Sequence, residues 1–197
     1  MKTAYLSVVL AAGFLCAGAY AQDKPAAKKK SGAPAGMEMP KPAPEMKFLT
    51  EFVGTWSTEE TFEKSPMMPE GGTATGTNVT RLGPGGFSIF IDQNSKSAMG
   101  PFRGHGVETW DPNEKVYKMV WVDSMTPGMV IETGRKEGDN LVLTGEAMMM
   151  GKKTKIKDVI SDKTPTSFML TSYMNDGSGE KKVMTIKFTK QESAAKK

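Results

Sequence analysis

The sequence has 197 residues, a formal net charge of +4, 24% charged residues and one cysteine. This length allows one domain that is stabilised by its own hydrophobic core. The excess positive charge lies in the termini, because residues 48–190 hold 17 Lys and Arg against 18 Asp and Glu. We therefore expect no nucleic-acid binding.

Residues 1–21 have the pattern of a secretory signal peptide. Lys2 supplies a positive charge, a short apolar run follows, and residues 19–21 form an Ala-x-Ala cleavage site. Cleavage after Ala21 would remove Cys16 and leave a mature chain without thiols, disulfides or cysteine–zinc sites. We expect a periplasmic or secreted protein with no membrane span in its mature form, because the apolar run is short for a span.

Residues 22–45 are rich in Pro, Ala, Lys and Met and contain no large aliphatic or aromatic residue that could build a core. This composition is typical of a disordered linker, and we expect the tail 192–197 to be disordered as well. Residues 46–191 are expected to form one domain. Apolar residues at helical spacing from Met46 to Val53, ended by Gly54, predict a short helix at its start.

After Gly54 the apolar pattern changes from a period of 3.6 to a period of two. We count ten strand-like segments up to Lys190, separated by Gly, Pro, Asn and Asp clusters typical of tight turns. The fold class predicted is all-β: a single up-and-down antiparallel β-barrel of about ten strands with a short N-terminal helix. Closure removes exposed strand edges and leaves room for a small ligand. A two-sheet sandwich with a solid core is the alternative.

The predicted hairpin of residues 100–123 gathers the rarest side chains, including the single histidine, His105. Alternation places Arg103 and His105 on one face of the first strand and Gly104 and Gly106 on the other. Sequence alone does not decide which face lines the interior.

Several segments resemble a known family when taken together and in order. FVGTW at Phe52–Trp56 is similar to the Gly-x-Trp entrance of lipocalin-like (calycin) barrels, in which the tryptophan packs across one end. Five further segments follow it in this order: LGPGGF, GPFRGHGVETWD, YKMVWVDSM, GRKEGDNLVLTGE and GEKKVMTIKFTK. From Phe48 to Lys190 the chain resembles DUF1579, a bacterial family of exported proteins of unknown function with an expected lipocalin-like fold. One departure is Lys187 and Lys190 in the last strand, where lipocalins usually place an arginine against the tryptophan.

The function that this fold favours is binding of a small apolar or amphipathic ligand inside a monomeric barrel. An inward arginine could pair with a carboxylate head group. The candidate lining residues are Trp56, Phe90, Arg103, His105, Tyr117, Met119, Trp121, Arg135 and Tyr173.

Two kinds of metal or cofactor site are alternatives, although no cofactor is the primary expectation. His105 could ligate haem, but a zinc site would need further ligands that the sequence does not supply beside it. Methionine is abundant, with 16 residues, and thioethers select Cu(I). The weak metal candidates are His105, Met148, Met149 and Met150.

A hydrolase that uses the carboxylates Glu108, Asp111 and Asp123 of the hairpin is the third alternative. The sequence contains no nucleophile elbow, phosphate-binding loop or dinucleotide fingerprint. A non-enzymatic role is therefore favoured.

Overall fold

The computed structural model describes residues 39–65, 68–149 and 151–192. A short helix, α1 (Met46–Thr50), precedes ten strands, and a single 3-10 turn lies at Pro84–Gly86. The strands are β1 Gly54–Phe62, β2 Gly72–Leu82, β3 Ser88–Ser97, β4 Gly100–Asp111, β5 Val116–Asp123, β6 Val130–Glu137, β7 Asn140–Met149, β8 Lys152–Ser161, β9 Ser167–Asn175 and β10 Lys181–Lys190.

The ten strands close into one up-and-down barrel. Each strand pairs antiparallel with the strands before and after it in the chain, and β1 also pairs with β10, from Trp56 opposite Lys190 to Phe62 opposite Met184. The predicted fold class is confirmed, with all ten strands in the expected order. The alternative of a two-sheet sandwich is wrong, because the β1–β10 ladder joins the two ends of the sheet.

Helix α1 closes one end of the barrel. Its buried residues Met46 and Leu49 pack against Ile89 of β3 and against Leu141 and Leu143 of β7. The Tyr117 hydroxyl donates a hydrogen bond of 3.2 Å to the main-chain oxygen of Glu45, which ties the start of the helix to β5. The loops after β1, β3, β5, β7 and β9 lie at the other end, which we call the open end, since the strands alternate in direction.

Burial follows the period of two along each strand and identifies the inner face. On β4 the buried residues are Gly104, Gly106 and Glu108, whereas Arg103 and His105, which alternate with the two glycines, are exposed. Tyr117 is buried on β5, so Met119 and Trp121 share the inner face with it. The hairpin therefore turns its glycines inward and its histidine outward.

The predicted signal peptide, most of the predicted linker and the end of the predicted tail fall on residues 1–38 and 193–197, outside the described residues. Within the described ranges, we find no helix long and apolar enough to cross a membrane.

We expect Leu49→Ala to cost about 2–5 kcal/mol of stability, because it removes a fully buried side chain from the closed end. Lys47→Ala on the exposed side of the same helix is the control and should change stability by less than about 0.5 kcal/mol. Urea unfolding followed by tryptophan fluorescence measures both. Equal costs for the two variants would show that the helix does not seal the barrel.

Candidate functional site

The inner face near the closed end is apolar and tightly packed. Trp56 is 1% exposed, its ring centroid lies 4.9 Å from that of Phe168, and its indole nitrogen donates to the Phe52 main-chain oxygen at 2.8 Å. Phe188 stacks on Phe168 at 4.1 Å. The Lys190 ammonium lies 5.2 Å from the Trp56 ring centroid, so a lysine occupies the place where lipocalins usually have an arginine. The packed side chains at this end stabilise the barrel and leave no room for a ligand among these rings.

Farther along the barrel the inner face becomes polar. The buried Gln93 amide nitrogen donates to Glu60 Oε1 at 2.9 Å and to Thr58 Oγ1 at 3.0 Å, which links β3 to β1. Thr80 donates to Asn78 on β2 at 2.9 Å. A solid hydrophobic core would not place these groups here, since buried polar atoms require partners.

Three carboxyl groups face the same interior from β4, β6 and β8. Glu108 pairs in register with Met119, and Met119 pairs with Glu132, so the two glutamates flank one methionine across three strands. Both glutamates are 2% exposed. Asp158 is partly buried and accepts a hydrogen bond of 2.5 Å from Ser172. We call Glu108, Glu132 and Asp158 the acidic cluster.

A glycine gives Glu132 its space. Gly145 is the register partner of Glu132 on β7, and a Cβ built there would lie 2.8 Å from the Glu132 side chain and 2.3 Å from the Ile131 oxygen. A larger residue at 145 would therefore displace the carboxylate or the strand.

Burial raises the pKa values of all three acids. Desolvation raises the pKa of Glu108 to about 8. Desolvation also raises the pKa of Glu132, and the neighbouring charges of Asp158 and Glu108 raise it further. The pKa of Asp158 is raised by desolvation, and the hydrogen bond from Ser172 opposes this. Glu108 and Glu132 therefore retain protons near neutral pH unless a positive charge pairs with them.

Several buried oxygens on this inner face have no hydrogen-bond partner in the described part of the protein. They are Gln93 Oε1, Glu108 Oε1 and Glu132 Oε1. Leaving such an atom unsatisfied costs about 1–3 kcal/mol. All three lie on the inner face of the barrel.

Trp121 explains the glycines that flank His105. A Cβ on Gly104 would lie 2.1 Å from the Trp121 ring, and one on Gly106 would lie 2.9 Å from it. The indole therefore lies flat against the inner side of β4, and its nitrogen donates to Asp123 at 3.1 Å. The glycines serve the packing of a tryptophan on the inner face, while the histidine lies on the opposite face.

His105 and Arg103 lie on the outer wall, so neither lines the interior. The His105 side chain is 47% exposed and its Nδ1 lies 2.7 Å from Asp92 Oδ1, and Asp92 also forms an ion pair with Arg81. Together with Arg103 they border an open outer groove of about 650 Å³. The hydrogen bond from His105 and the charges of His105 and Arg81 hold the pKa of Asp92 below its usual range.

Three further lining candidates also lie outside the barrel. Phe90 alternates with the inward Ile89 and Ile91 on β3. Arg135 is exposed and donates to the main-chain oxygens of residues 114 and 115 at the turn after β4. Tyr173 is covered by the Lys157 ammonium at 4.5 Å on the outer wall.

The structure thus brings together four of the nine predicted lining residues on the inner face: Trp56, Tyr117, Met119 and Trp121. Whether these four contact a ligand stays a prediction. The polar inner residues were missed, although Glu132 and Asp158 alternate in step with the apolar Val130 and Ile156. A polar residue at an inward position is the signal that could have found them.

The hairpin carboxylates proposed for a hydrolase do not converge. Asp111 accepts main-chain hydrogen bonds from Asn113 and Glu114 in the turn, and Asp123 accepts from residues 125 and 126 at the open end. Glu108 alone faces the interior at mid-barrel. The two aspartates thus have structural roles in the turns.

Methionines gather around the open end. Met148 is 59% exposed there, next to Met149, and Met150 lies outside the described residues. Met99, Met125 and Met129 are exposed in or beside other loops of the same end. The acidic and histidine side chains of the described residues form no group of three that could hold a metal ion. Cu(I) binding by methionines and haem binding by His105 stay predictions.

The fold and the inner face define a lipocalin-like barrel with an acidic interior. The family model described as "Protein of unknown function (DUF1579)" matches residues 41–190. The chain belongs to this family, as its sequence motifs predicted.

Two solved structures have folds similar to that of this chain. The chain is similar to Rv2717c of M. tuberculosis, with 15% identity, a TM-score of 0.55 and coverage of 77% of this chain and 100% of that chain. It is also similar to the S-type phycobiliprotein lyase CPES of Guillardia theta, with 14% identity, a TM-score of 0.50 and coverage of 75% and 92%. No curated protein matches the sequence. At these identities the likeness establishes the barrel and nothing about its ligand.

The raised pKa of Glu108 makes stability fall as pH rises. The ordinary pKa is 4.5 and the folded value is about 8, so between these values the folded state keeps a proton that the unfolded state releases. Stability is fully present below pH 4.5 and is lost by up to about 1.4 kcal/mol per pH unit towards pH 8. The raised pKa values of Glu132 and Asp158 act in the same direction.

We therefore expect Glu108→Gln to be less destabilised than the original protein when pH is raised from 5 to 8. Urea unfolding at the two pH values measures this. Glu59→Gln, on the exposed outer face of β1, should keep the original pH dependence. Identical pH dependence in Glu108→Gln and the original protein would contradict the assigned burial of this acid.

Proposed function

We propose that this protein binds a small amphipathic ligand inside its barrel. The observation that carries the proposal is the set of buried inner oxygens without protein partners, on Gln93, Glu108 and Glu132. A ligand that placed a polar group among them would recover the free energy that they cost.

The apolar part of such a ligand has side chains to contact. Several inward apolar residues at mid-barrel keep accessible surface, which fits an interior that side chains do not fill completely. They are Ile91, Met119, Trp121, Ile156, Leu170 and Met174. Methionines such as Met119 adapt to ligands of different shape because their side chains are unbranched and flexible.

Filling the interior tests the proposal. Met119→Trp adds a large ring to the inner face beside Glu108 and Glu132, and we expect it to weaken binding of the neutral apolar dye Nile red at least tenfold. Val120→Trp adds the same ring to the next residue, which is exposed on the outer wall, and should leave binding unchanged. Dye fluorescence measures both. Equal dye affinity in the two variants, or no binding by the original protein, would overturn interior binding.

Export is part of the proposal, because the first 21 residues have the pattern of a signal peptide. Mass spectrometry of the protein secreted by a bacterial host should give a chain that begins at Gln22. A chain that retains Met1 and stays in the cytoplasm would contradict it.

A further inference from the structure

We infer that the polar group taken up by the interior is an organic cation with N–H donors, an alkylammonium or guanidinium head group held by the unpartnered oxygens of Glu108 and Glu132. This inference rests on the proposed function and names its ligand class. An amphiphile with such a head group would place its chain against the apolar inner residues.

Gln93 gives independent evidence for a donor. Its amide nitrogen already donates to Glu60 and Thr58, which fixes the orientation of the amide and leaves Oε1 facing the interior without a partner. A carbonyl oxygen only accepts hydrogen bonds, whatever the pH. The interior therefore lacks donors rather than acceptors.

The two glutamates are spaced to share one cation. Their strands are separated only by β5, so their Cα atoms are about 10 Å apart. Their side chains extend into the barrel from both sides of Met119. The charges of Asp158 and Glu108 both act on Glu132. One ammonium group between them would relieve this repulsion and supply the missing donors.

The protein does not supply this positive charge itself. Among the residues that the structure describes, the buried polar and charged side chains include no lysine or arginine. The described acids also form no group of three that could hold a metal ion. An ammonium or guanidinium group differs from a metal ion because its hydrogen bonds are longer than metal–oxygen bonds, so its acceptors can lie farther apart.

The remaining charges of the inner face lie near its ends. Lys190 and Lys136 cover the rings of Trp56 and Phe48 near the closed end. At the open end Asp123 accepts from Trp121, and the exposed Lys152 and Lys181 are the register partners of the inward Met149 and Met174. The titratable groups at mid-barrel are Glu60, Glu108, Glu132 and Asp158, and Tyr117 lies nearer the closed end. The four mid-barrel groups are all carboxyl groups, so the charge at mid-barrel is negative once they release their protons, and it then favours a cation.

Trp121 adds a further contact for a cation. Its indole lies flat on the inner side of β4 next to Gly106, which is two residues before Glu108. The face of a tryptophan ring attracts an ammonium or guanidinium group.

The opposite reading is that the protonated acids donate hydrogen bonds to a ligand with acceptor groups, such as a fatty acid. The two readings predict opposite pH dependence. A cation requires the glutamates to release their protons, so its affinity should rise from pH 5 to pH 8, whereas a ligand that accepts hydrogen bonds should bind best at pH 5.

Four ligands with the same C12 chain separate these readings: dodecylammonium, dodecyltrimethylammonium, dodecanol and dodecanoate. Each is titrated into the mature protein below its micelle concentration, with displacement of Nile red and tryptophan fluorescence as readouts. We expect dodecylammonium to bind at least tenfold more tightly than dodecanol or dodecanoate at pH 8. Dodecyltrimethylammonium, which is a cation without N–H donors, should fall between them.

Glu108→Gln and Glu132→Gln should each reduce the preference for dodecylammonium over dodecanol about tenfold. Glu137→Gln, exposed at the end of the same strand as Glu132, is the matched control and should keep the preference. If a glutamine variant does not fold, the ligand series on the original protein still decides.

Equal affinity for all four ligands would overturn the cation inference and leave interior binding intact. Tighter binding of dodecanoate, or tighter binding at pH 5, would overturn it in favour of a ligand that accepts hydrogen bonds. Failure of both Nile red and dodecylammonium to bind would overturn the inference together with the proposed function.

Discussion

The ladder between β1 and β10 is the interaction on which the rest of the structure depends. It pairs Trp56 with Lys190 and Phe62 with Met184, and so joins the first strand of the sheet to the last. A sheet without edges has no free row of main-chain donors and acceptors to protect. Closure also divides the side chains of every strand into an inner and an outer set. Whether a side chain lies inside the barrel then depends on whether its residue is at an inward or an outward position in the alternation of its strand.

Two parts of this interior contribute differently to the stability of the fold. Near the closed end, Leu49, Trp56 and Phe168 bury large apolar areas, and aromatic pairs are favourable beyond the area that they bury. Farther along, Glu108 and Glu132 are buried at a cost in free energy, because a carboxylate loses its hydration there. The apolar end offsets this cost. Such a division is typical of proteins in which a functional site is supported by a stable scaffold.

The family and the barrel could be read from the sequence because both depend on local patterns. Turn residues such as Pro84-Gly85-Gly86 and the alternation of apolar and polar residues are visible in the chain itself. The residues of the site depended on which face of each strand turns towards the interior. His105 and Glu108 lie on the same strand with opposite parity, so the choice of inner face moves one inside and the other outside. His105 was the stronger site candidate in the sequence because histidine is rare in this chain. Burial in the structure shows that Glu108, and not His105, lies inside the barrel.

The sequence by itself determined the fold class, the ten strands, the turns between them and the family, because hydrophobic periodicity and turn chemistry act over a few residues. Only the tertiary structure decided which face became the interior. It brought Glu108, Glu132 and Asp158 to one interior from three strands and left Gln93 Oε1 without a partner there. Closure and register set these contacts between residues that lie far apart in the chain, and no local pattern encodes them.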